Sequence, residues 1–171
     1  MAREKYILVG AKPSKDSAQN PGGQLTASIS LANYLKSKGH DIEIIDTTQS
    51  SFPIPSFHLR LLKGLTRIVM LLKLLRTNDL RGVIIFASAG FSFYEKICMS
   101  ACCRIFGIQD ILFVRSGHFM TAVRTSPWTA FWVKLLLKVP FMIGAQGNNW
   151  VDFYNTVGVE TARISIICNW L

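Results

Sequence analysis

Short apolar runs alternate with segments of helical periodicity along the whole chain. The apolar runs predict buried strands at 6–10, 40–46, 82–88, 110–115, 140–146 and 163–168. Apolar positions three and four residues apart predict helices between them, at 25–38, 57–76, 93–106, 127–139 and 150–157. Nearly continuous apolar strands separated by helices are typical of a parallel sheet that is covered on both faces. The pattern therefore predicts an α/β fold, a doubly wound, Rossmann-like parallel sheet with helices on both faces, as one domain over residues 1–171.

Local signals mark two of these helix ends. The first helix is expected to stop at Lys38-Gly39, because a basic last turn followed by glycine is a common helix ending. Ser126 and Pro127 suit the cap and the first turn of the helix that begins there.

Composition narrows the class of protein. Half of the 171 residues are apolar, 17% are charged and the mean hydropathy is +0.30, which excludes a disordered chain. No uninterrupted apolar run reaches the ~18 residues of a membrane-spanning helix, and the N-terminal apolar stretch is shorter than the roughly 7–15 residues of a signal-peptide core. We therefore expect a cytoplasmic protein.

The four cysteines favour packing over chemistry. Cys98, Cys102 and Cys103 share one apolar segment, Cys168 stands near the end of the chain, and no two form a C-x-x-C pair. Small buried hydrophobic side chains are the expectation, with no metal site and no bound cofactor.

Positive charge is segregated along the chain. The net charge is +9, and no acidic residue lies between Asp46 and Asp79 or between Asp110 and Asp152. The two acid-free stretches hold nine basic residues, which equal the whole excess: Arg60, Lys63, Arg67, Lys73, Arg76, Arg115, Arg124, Lys134 and Lys138. Segregated charge of this kind creates a directed field, which indicates an anionic partner.

The 57–76 helix is amphipathic in an unusual way. At about 100° per residue its leucines cluster on one side, while Arg60, Lys63 and Arg67 cluster on the other. Such a stripe is usually part of a core. The complete lack of acids favours an interfacial helix, with leucines in lipid and with Arg60, Lys63, Arg67, Lys73 and Arg76 at anionic head groups.

The 127–139 helix has a similar stripe, formed by Trp128, Phe131, Trp132, Leu135, Leu136 and Val139. Here we favour core packing over lipid contact. Nucleic acid is a poor candidate partner for either basic helix, because both stretches are rich in leucine or tryptophan and no nucleic-acid-binding motif is present.

A glycine pair follows the first strand. Pro21-Gly22-Gly23 precedes the first helix, where backbone amides and the helix dipole favour an anion. The loop matches neither G-x-G-x-x-G nor a Walker A sequence, and on physical grounds alone it is more simply a turn.

The order of these parts resembles the N-terminal domain of GT-B glycosyltransferases, especially the retaining family 4 group. The segments that carry the resemblance are KYILVG, NPGGQLTASISLANYLKSKGHDIEIID with its K-G-H, VIIFASAGF, ILFVRSGHF and FMIGAQGNNWVDFYNTVGVETARISIICNWL. They cover nearly all of the chain, and each is moderately specific.

The resemblance implies roles for individual residues. Gly22 and Gly23 would lie against the donor diphosphate or sugar, and His118, in the loop after the fourth strand, would lie near the acceptor and the reaction centre. The same crevice would be lined by Ser88, Gly90, Gln146 and Asn148. The family's carboxylate pair and nucleotide pocket belong to a C-terminal domain that this sequence lacks, so the nucleotide-sugar would be a substrate held mainly elsewhere.

These points lead to one expected function and two alternatives. The expected function is the acceptor half of a retaining glycosyltransferase at the inner face of the cell membrane. It would serve polysaccharide or glycolipid synthesis on a glycan or lipid-linked acceptor, and it would be inactive without a separate donor-binding chain or domain. The alternatives are a non-catalytic module that recruits a partner subunit to anionic membranes, and an unrelated nucleotide-binding α/β protein.

Overall fold

A six-stranded, fully parallel sheet forms the centre of the computed structural model, which describes residues 4–12, 23–48, 56–77 and 79–167. The strands are β1 Lys5–Gly10, β2 Asp41–Asp46, β3 Leu80–Ala87, β4 Asp110–Val114, β5 Met142–Ala145 and β6 Ile164–Ile166, in the order β2-β1-β3-β4-β5-β6. The helices are α1 Gly23–Ser37, α2 Phe57–Leu74, α3 Phe91–Ile105, α4 Gly117–Thr125, α5 Pro127–Leu136 and α6 Asn148–Val157. The predicted fold class is confirmed.

Right-handed crossovers place α1 on one face of the sheet and α2 to α6 on the other, because the chain reverses direction across the sheet after β2. Successive side chains along a strand point to opposite faces of the sheet and pack into two separate cores. Ile7, Val9 and Ile85 belong to the larger core with α2 to α6, whereas Leu8 and Phe86 pack with α1. The outer surface of the α2–α6 layer is therefore a distinct side of the molecule.

Both predicted helix ends are confirmed. Gly39 has φ +84°, its amide donates to the Lys36 carbonyl at 2.9 Å, and α1 ends before it. The Ser126 side chain accepts a hydrogen bond from the Thr129 amide at 3.2 Å, which caps α5 ahead of Pro127.

One helix was missed, and the cysteine prediction holds in part. The segment 117–125 is the short helix α4 and not a loop. Its two buried residues, Phe119 and Val123, are too few for a visible helical period. Cys103 lies in the core as expected, and burial raises the pKa of its thiol, but Cys98 is exposed. Cys168 lies outside the described residues.

The ring of Phe113 leaves no room for a side chain at Gly144. A Cβ at Gly144 would lie 2.2 Å from Phe113 Cε2, since the two residues are paired between β4 and β5. We expect Gly144→Ala to lower the free energy of unfolding by about 1–3 kcal/mol, as overpacking does, in urea denaturation. Gly117→Ala is the control, because nothing lies within 4 Å of a Cβ there. Equal stability of the two variants would contradict the prediction.

Candidate functional site

The carboxyl ends of the strands gather most of the residues that the resemblance singled out. The N-termini of α1, α3, α4 and α6 follow β1, β3, β4 and β5, so all four helices begin at this edge of the sheet. Ser88, Gly90, His118, Gln146 and Asn148 lie there. Gly23 is the exposed first residue of α1, and Gly22 lies outside the described residues.

Several of these residues make hydrogen bonds or begin helices at this edge of the sheet. The Ser88 amide donates to Ser92 Oγ at 3.2 Å, and Gly90 precedes α3 with φ +68°. The side-chain amide of Gln146 donates to the Val114 carbonyl at 3.1 Å and so joins the ends of β4 and β5. Asn148 is the exposed first residue of α6. These contacts shape the edge of the sheet, and the roles implied for the residues in binding stay predictions.

His118 and Arg115 flank the end of β4. His118 is exposed in the first turn of α4, which corrects its expected place in a loop. Arg115 was not singled out as a site residue, although it follows β4 directly. Its guanidinium carbon is 5.8 Å from the centre of the Phe86 ring, and burial lowers its pKa. A cation at this position adds to the positive ends of the four helices.

Helix α2 turns its apolar stripe away from the sheet. Its buried residues are Gly64, Arg67 and Leu71. The large apolar side chains on its outer side are exposed: Phe57, Leu59, Leu61, Leu62, Leu65, Val69 and Met70. An amphipathic helix in a globular protein normally does the opposite, so this surface is a candidate binding site.

The predicted membrane-surface cations divide into two groups. Lys63, Lys73 and Arg76 are exposed, as expected. Arg60 is half-buried, with its guanidinium carbon 5.5 Å from the centre of the Phe91 ring. Arg67 is 6% exposed, so its predicted place at the lipid surface is wrong.

Arg67 is held inside by a buried ionic cluster. Its Nε donates to the Asp46 carbonyl at 2.9 Å, and its Nη1 lies 3.3 Å from Glu95 Oε1. The other oxygen of Glu95 lies 2.9 Å from Lys96 Nζ. Burial lowers the pKa of Lys96 although Glu95 opposes that shift. This cluster fixes which side of α2 faces α3.

Asp46 ends β2 beside this cluster. Burial raises its pKa, but hydrogen bonds from Thr48 and from the Lys12 amide outweigh that effect and hold the pKa below its ordinary value. The Thr48 hydroxyl donates to Asp46 Oδ1 at 2.6 Å and the Lys12 amide at 3.1 Å. The carboxylate thereby ties the end of β2 to the residues that follow β1.

Helix α5 also exposes its aromatic side chains, which corrects part of the expectation of core packing for 127–139, although Leu136 and Val139 of that stripe do pack against the core. Trp128 is 69% exposed, Phe131 and Trp132 are exposed beside it, and Val133 is the buried residue of the helix. The Trp128 and Phe131 rings stack with centres 6.2 Å apart, and Trp132 meets both edge-on. Core contact is made by the side of the helix that carries Val133 and Leu136, so the aromatic side chains lie toward solvent.

Charge on the α2–α6 layer is strongly one-sided. Within these five helices, all of which are described, five cations are exposed: Lys63, Lys73, Arg104, Arg124 and Lys134. The exposed carboxylate is Asp152, since Glu95 is buried. None of the helices among the described residues is long and apolar enough to cross a bilayer. The layer thus combines exposed apolar side chains with net positive charge.

Comparison with known proteins gives little support for a function. No protein-family model matches the chain, and no curated protein matches its sequence. A solved structure of a 2-deoxyribosyltransferase from the psychrotolerant bacterium Bacillus psychrosaccharolyticus matches with a TM-score of 0.41 and 11% identity, over 92% of this chain and 93% of that one. A likeness this low carries no conclusion about the substrate or reaction of this chain.

The expected GT-B glycosyltransferase is wrong on these comparisons. No family model matches the chain, and the solved structure that matches is described as a 2-deoxyribosyltransferase, not as a GT-B glycosyltransferase. Sugar transfer to a glycan or lipid-linked acceptor, a role in polysaccharide or glycolipid synthesis and the subunit-recruiting alternative are corrected with it. The prediction and the neighbour share the broad class of transferase.

The misleading motifs have local explanations. K-G-H is the end of α1 with Gly39 at positive φ, and alternating strands and helices are shared by all doubly wound sheets. Such motifs are set by backbone geometry, so they recur in unrelated families. The comparisons also lend no support to membrane association. Support for it comes from the chemistry of the exposed surface alone.

Proposed function

We propose that this chain binds the surface of anionic lipid bilayers through the outer side of its α2–α6 layer, with α2 as the main contact. The observation that carries the proposal is the orientation of α2, whose Leu62, Leu65 and Val69 point outward while Arg67 points inward. Leucines at the acyl boundary with cations at the head groups are the pattern of an interfacial helix.

Apolar burial supplies the larger part of the expected binding energy. Leu62, Leu65 and Val69 lie within two turns of one another on the outer side of α2, and each is at least half exposed. Burying a leucine fully contributes about 1.5–3 kcal/mol relative to leaving it in water. Each of the three is about half exposed, so together they contribute roughly 2–5 kcal/mol on entering a bilayer.

Charge and aromatic residues support the same partner. Lys63 and Lys73 flank the leucines, and each cation near an anionic surface adds about 1 kcal/mol. Trp128 and Trp132 on α5 lie on the same side of the sheet, and tryptophan prefers the boundary between head groups and acyl chains.

Vesicle flotation tests the proposal directly. We expect the protein to float with vesicles that contain phosphatidylglycerol and to stay in the aqueous fractions with pure phosphatidylcholine. Salt of about 1 M should weaken the binding, because it screens exposed charges beyond about 3 Å. Absence of flotation with both vesicle types would overturn the proposal.

A charge variant separates the electrostatic part of binding. Lys63→Ala combined with Lys73→Ala should weaken binding to anionic vesicles by about 2 kcal/mol, which is roughly 30-fold. Lys36→Ala is the matched control, because Lys36 is an exposed cation at the end of α1 on the opposite side of the sheet. Equal losses in both variants would show that net charge matters and the proposed surface does not.

A further inference from the structure

A groove between α4, α5 and α6 is separate from the α2 surface. It has a volume of about 390 Å³. Its floor consists of side chains that are almost fully buried, Val123 of α4 with Phe153 and Val157 of α6. Its mouth is formed by exposed side chains, Arg124 of α4 and Phe131 and Lys134 of α5. The groove therefore has an apolar base and a cationic opening.

The position of Lys134 is set by the end of α6. Gly158 ends that helix with φ +91°, and a Cβ there would lie 3.1 Å from Lys134 Cε. Glycine thus leaves room for the lysine stem, which crosses the C-terminus of α6 at the mouth of the groove. The negative end of the helix dipole favours an ammonium at this point.

The positive charge around the groove favours an anionic ligand. The described residues that line it include two cations and no carboxylate. Both cations, Arg124 and Lys134, belong to the second acid-free stretch, between Asp110 and Asp152. An apolar floor beneath two cations matches a molecule that carries an apolar chain and a phosphate.

The surrounding aromatic residues indicate where that molecule comes from. Phe131 belongs both to the groove and to the exposed cluster with Trp128 and Trp132. If this cluster lies at the boundary of head groups and acyl chains, the mouth of the groove lies at the depth of lipid phosphates. A bilayer phospholipid then needs to move little to enter it.

We infer that the groove between α4, α5 and α6 binds a single anionic phospholipid, with its phosphate at Arg124 and Lys134 and part of an acyl chain on the Phe153 and Val157 floor. The inference rests on the proposed function, because a bilayer at this surface is the source of the lipid. It adds a specific lipid site to a general attraction to anionic surfaces.

Titration with a short-chain lipid below its micelle concentration tests the groove without a bilayer. We expect dihexanoyl phosphatidylglycerol to give saturable amide shifts in NMR spectra that are confined to α4, α5 and α6. Arg124→Ala and Lys134→Ala should each weaken this binding several-fold, because each removes a cation beside the lipid phosphate. Lys73→Ala on α2 is the control and should leave it unchanged.

A groove-filling variant and a phosphate titration test whether the lipid binds in the groove and whether its acyl chain contributes. Thr156→Trp places a ring in the groove from its exposed rim and should abolish binding of the short-chain lipid, with the fold verified by circular dichroism. Inorganic phosphate should give far weaker shifts, because it lacks the acyl chain. Equal binding of dihexanoyl phosphatidylcholine, or unchanged binding in the Arg124 and Lys134 variants, would overturn the inference.

The outcome is separable from that of vesicle flotation. Saturable binding of the short-chain lipid without flotation would support the groove and overturn the bilayer proposal. Flotation of the wild type, with groove variants that titrate like the wild type, would overturn the groove and leave the α2 surface as the contact.

Discussion

Glu95→Ala is expected to lower the free energy of unfolding by about 3–5 kcal/mol, the usual result of removing one partner from a buried ion pair. The Glu95 side chain is 3% exposed and contacts two cations, Arg67 Nη1 at 3.3 Å and Lys96 Nζ at 2.9 Å. Without the carboxylate, two positive charges stay buried with no counter-ion between them. Urea denaturation monitored by circular dichroism measures the loss.

The pH dependence of this variant provides a second readout. Burial already lowers the pKa of Lys96 from 10.5, and Glu95 is the group that opposes that shift. In the variant the folded pKa falls further, so between that pKa and 10.5 the unfolded chain binds more protons and stability must rise with pH. We expect the difference between variant and wild type to shrink as the pH rises through the interval between the folded Lys96 pKa of the variant and that of the wild type.

An exposed ion pair is the control. Glu43 lies 2.8 Å from Lys5, and the two side chains are 44% and 26% exposed, so Glu43→Ala should change stability by less than about 1 kcal/mol. A Glu95→Ala variant as stable as Glu43→Ala would mean that the cluster is hydrated in solution. The orientation of α2 would then have another cause.

The sheet could be predicted from sequence because strand burial follows from local composition. Ile7, Leu8 and Val9 are consecutive apolar residues, and all three are fully buried since α1 covers one face of β1 and the α2–α6 layer covers the other. The helix ends at Gly39 and Ser126 could also be predicted, because each depends on the backbone and side chains of a few neighbouring residues. Once the strand order is known, right-handed crossovers assign each helix to one face of the sheet.

The orientation of α2 could be predicted only in part. The sequence shows that leucines and cations occupy opposite sides of the helix, but not which side meets the sheet. That choice depends on Glu95, which lies on a different helix and pairs with Arg67, and on Gly64, beside which the Glu95 side chain packs. A buried Arg67 and an exposed Lys63 are alike in sequence and differ through this tertiary contact.

The carboxyl edge of the sheet shows the same limit. The resemblance implied that Ser88, His118 and Gln146 line one crevice, and the structure places all three at this edge, where residues that follow parallel strands meet. What each one binds depends on side-chain geometry that strand order does not determine. The Gln146 amide, for example, bonds to the Val114 carbonyl, a backbone partner that no sequence motif indicates.

Leu62→Glu combined with Leu65→Glu is expected to weaken binding to phosphatidylglycerol vesicles at least 100-fold. The two side chains are 60% and 52% exposed, so the substitutions leave the core intact, and glutamate is a good helix former. Losing two leucines from the acyl boundary removes roughly 3 kcal/mol, where about 1.4 kcal/mol is tenfold, and two carboxylates near anionic lipid weaken binding further. Flotation across a range of lipid concentrations gives the partition coefficients of the variant and the wild type.

Tyr34→Glu is the control, because it introduces a negative charge on a different side of the protein. Tyr34 is 58% exposed on α1, on the other side of the sheet, so it matches Leu62 in exposure and in helical setting. This control should float like the wild type, because α1 faces away from the bilayer when the α2–α6 layer contacts it. If the leucine variant floats equally well, α2 is not the contact. If it instead abolishes a dimer seen for the wild type in gel filtration, the apolar stripe binds a second copy of the chain, because the same outward leucines would then be buried against each other.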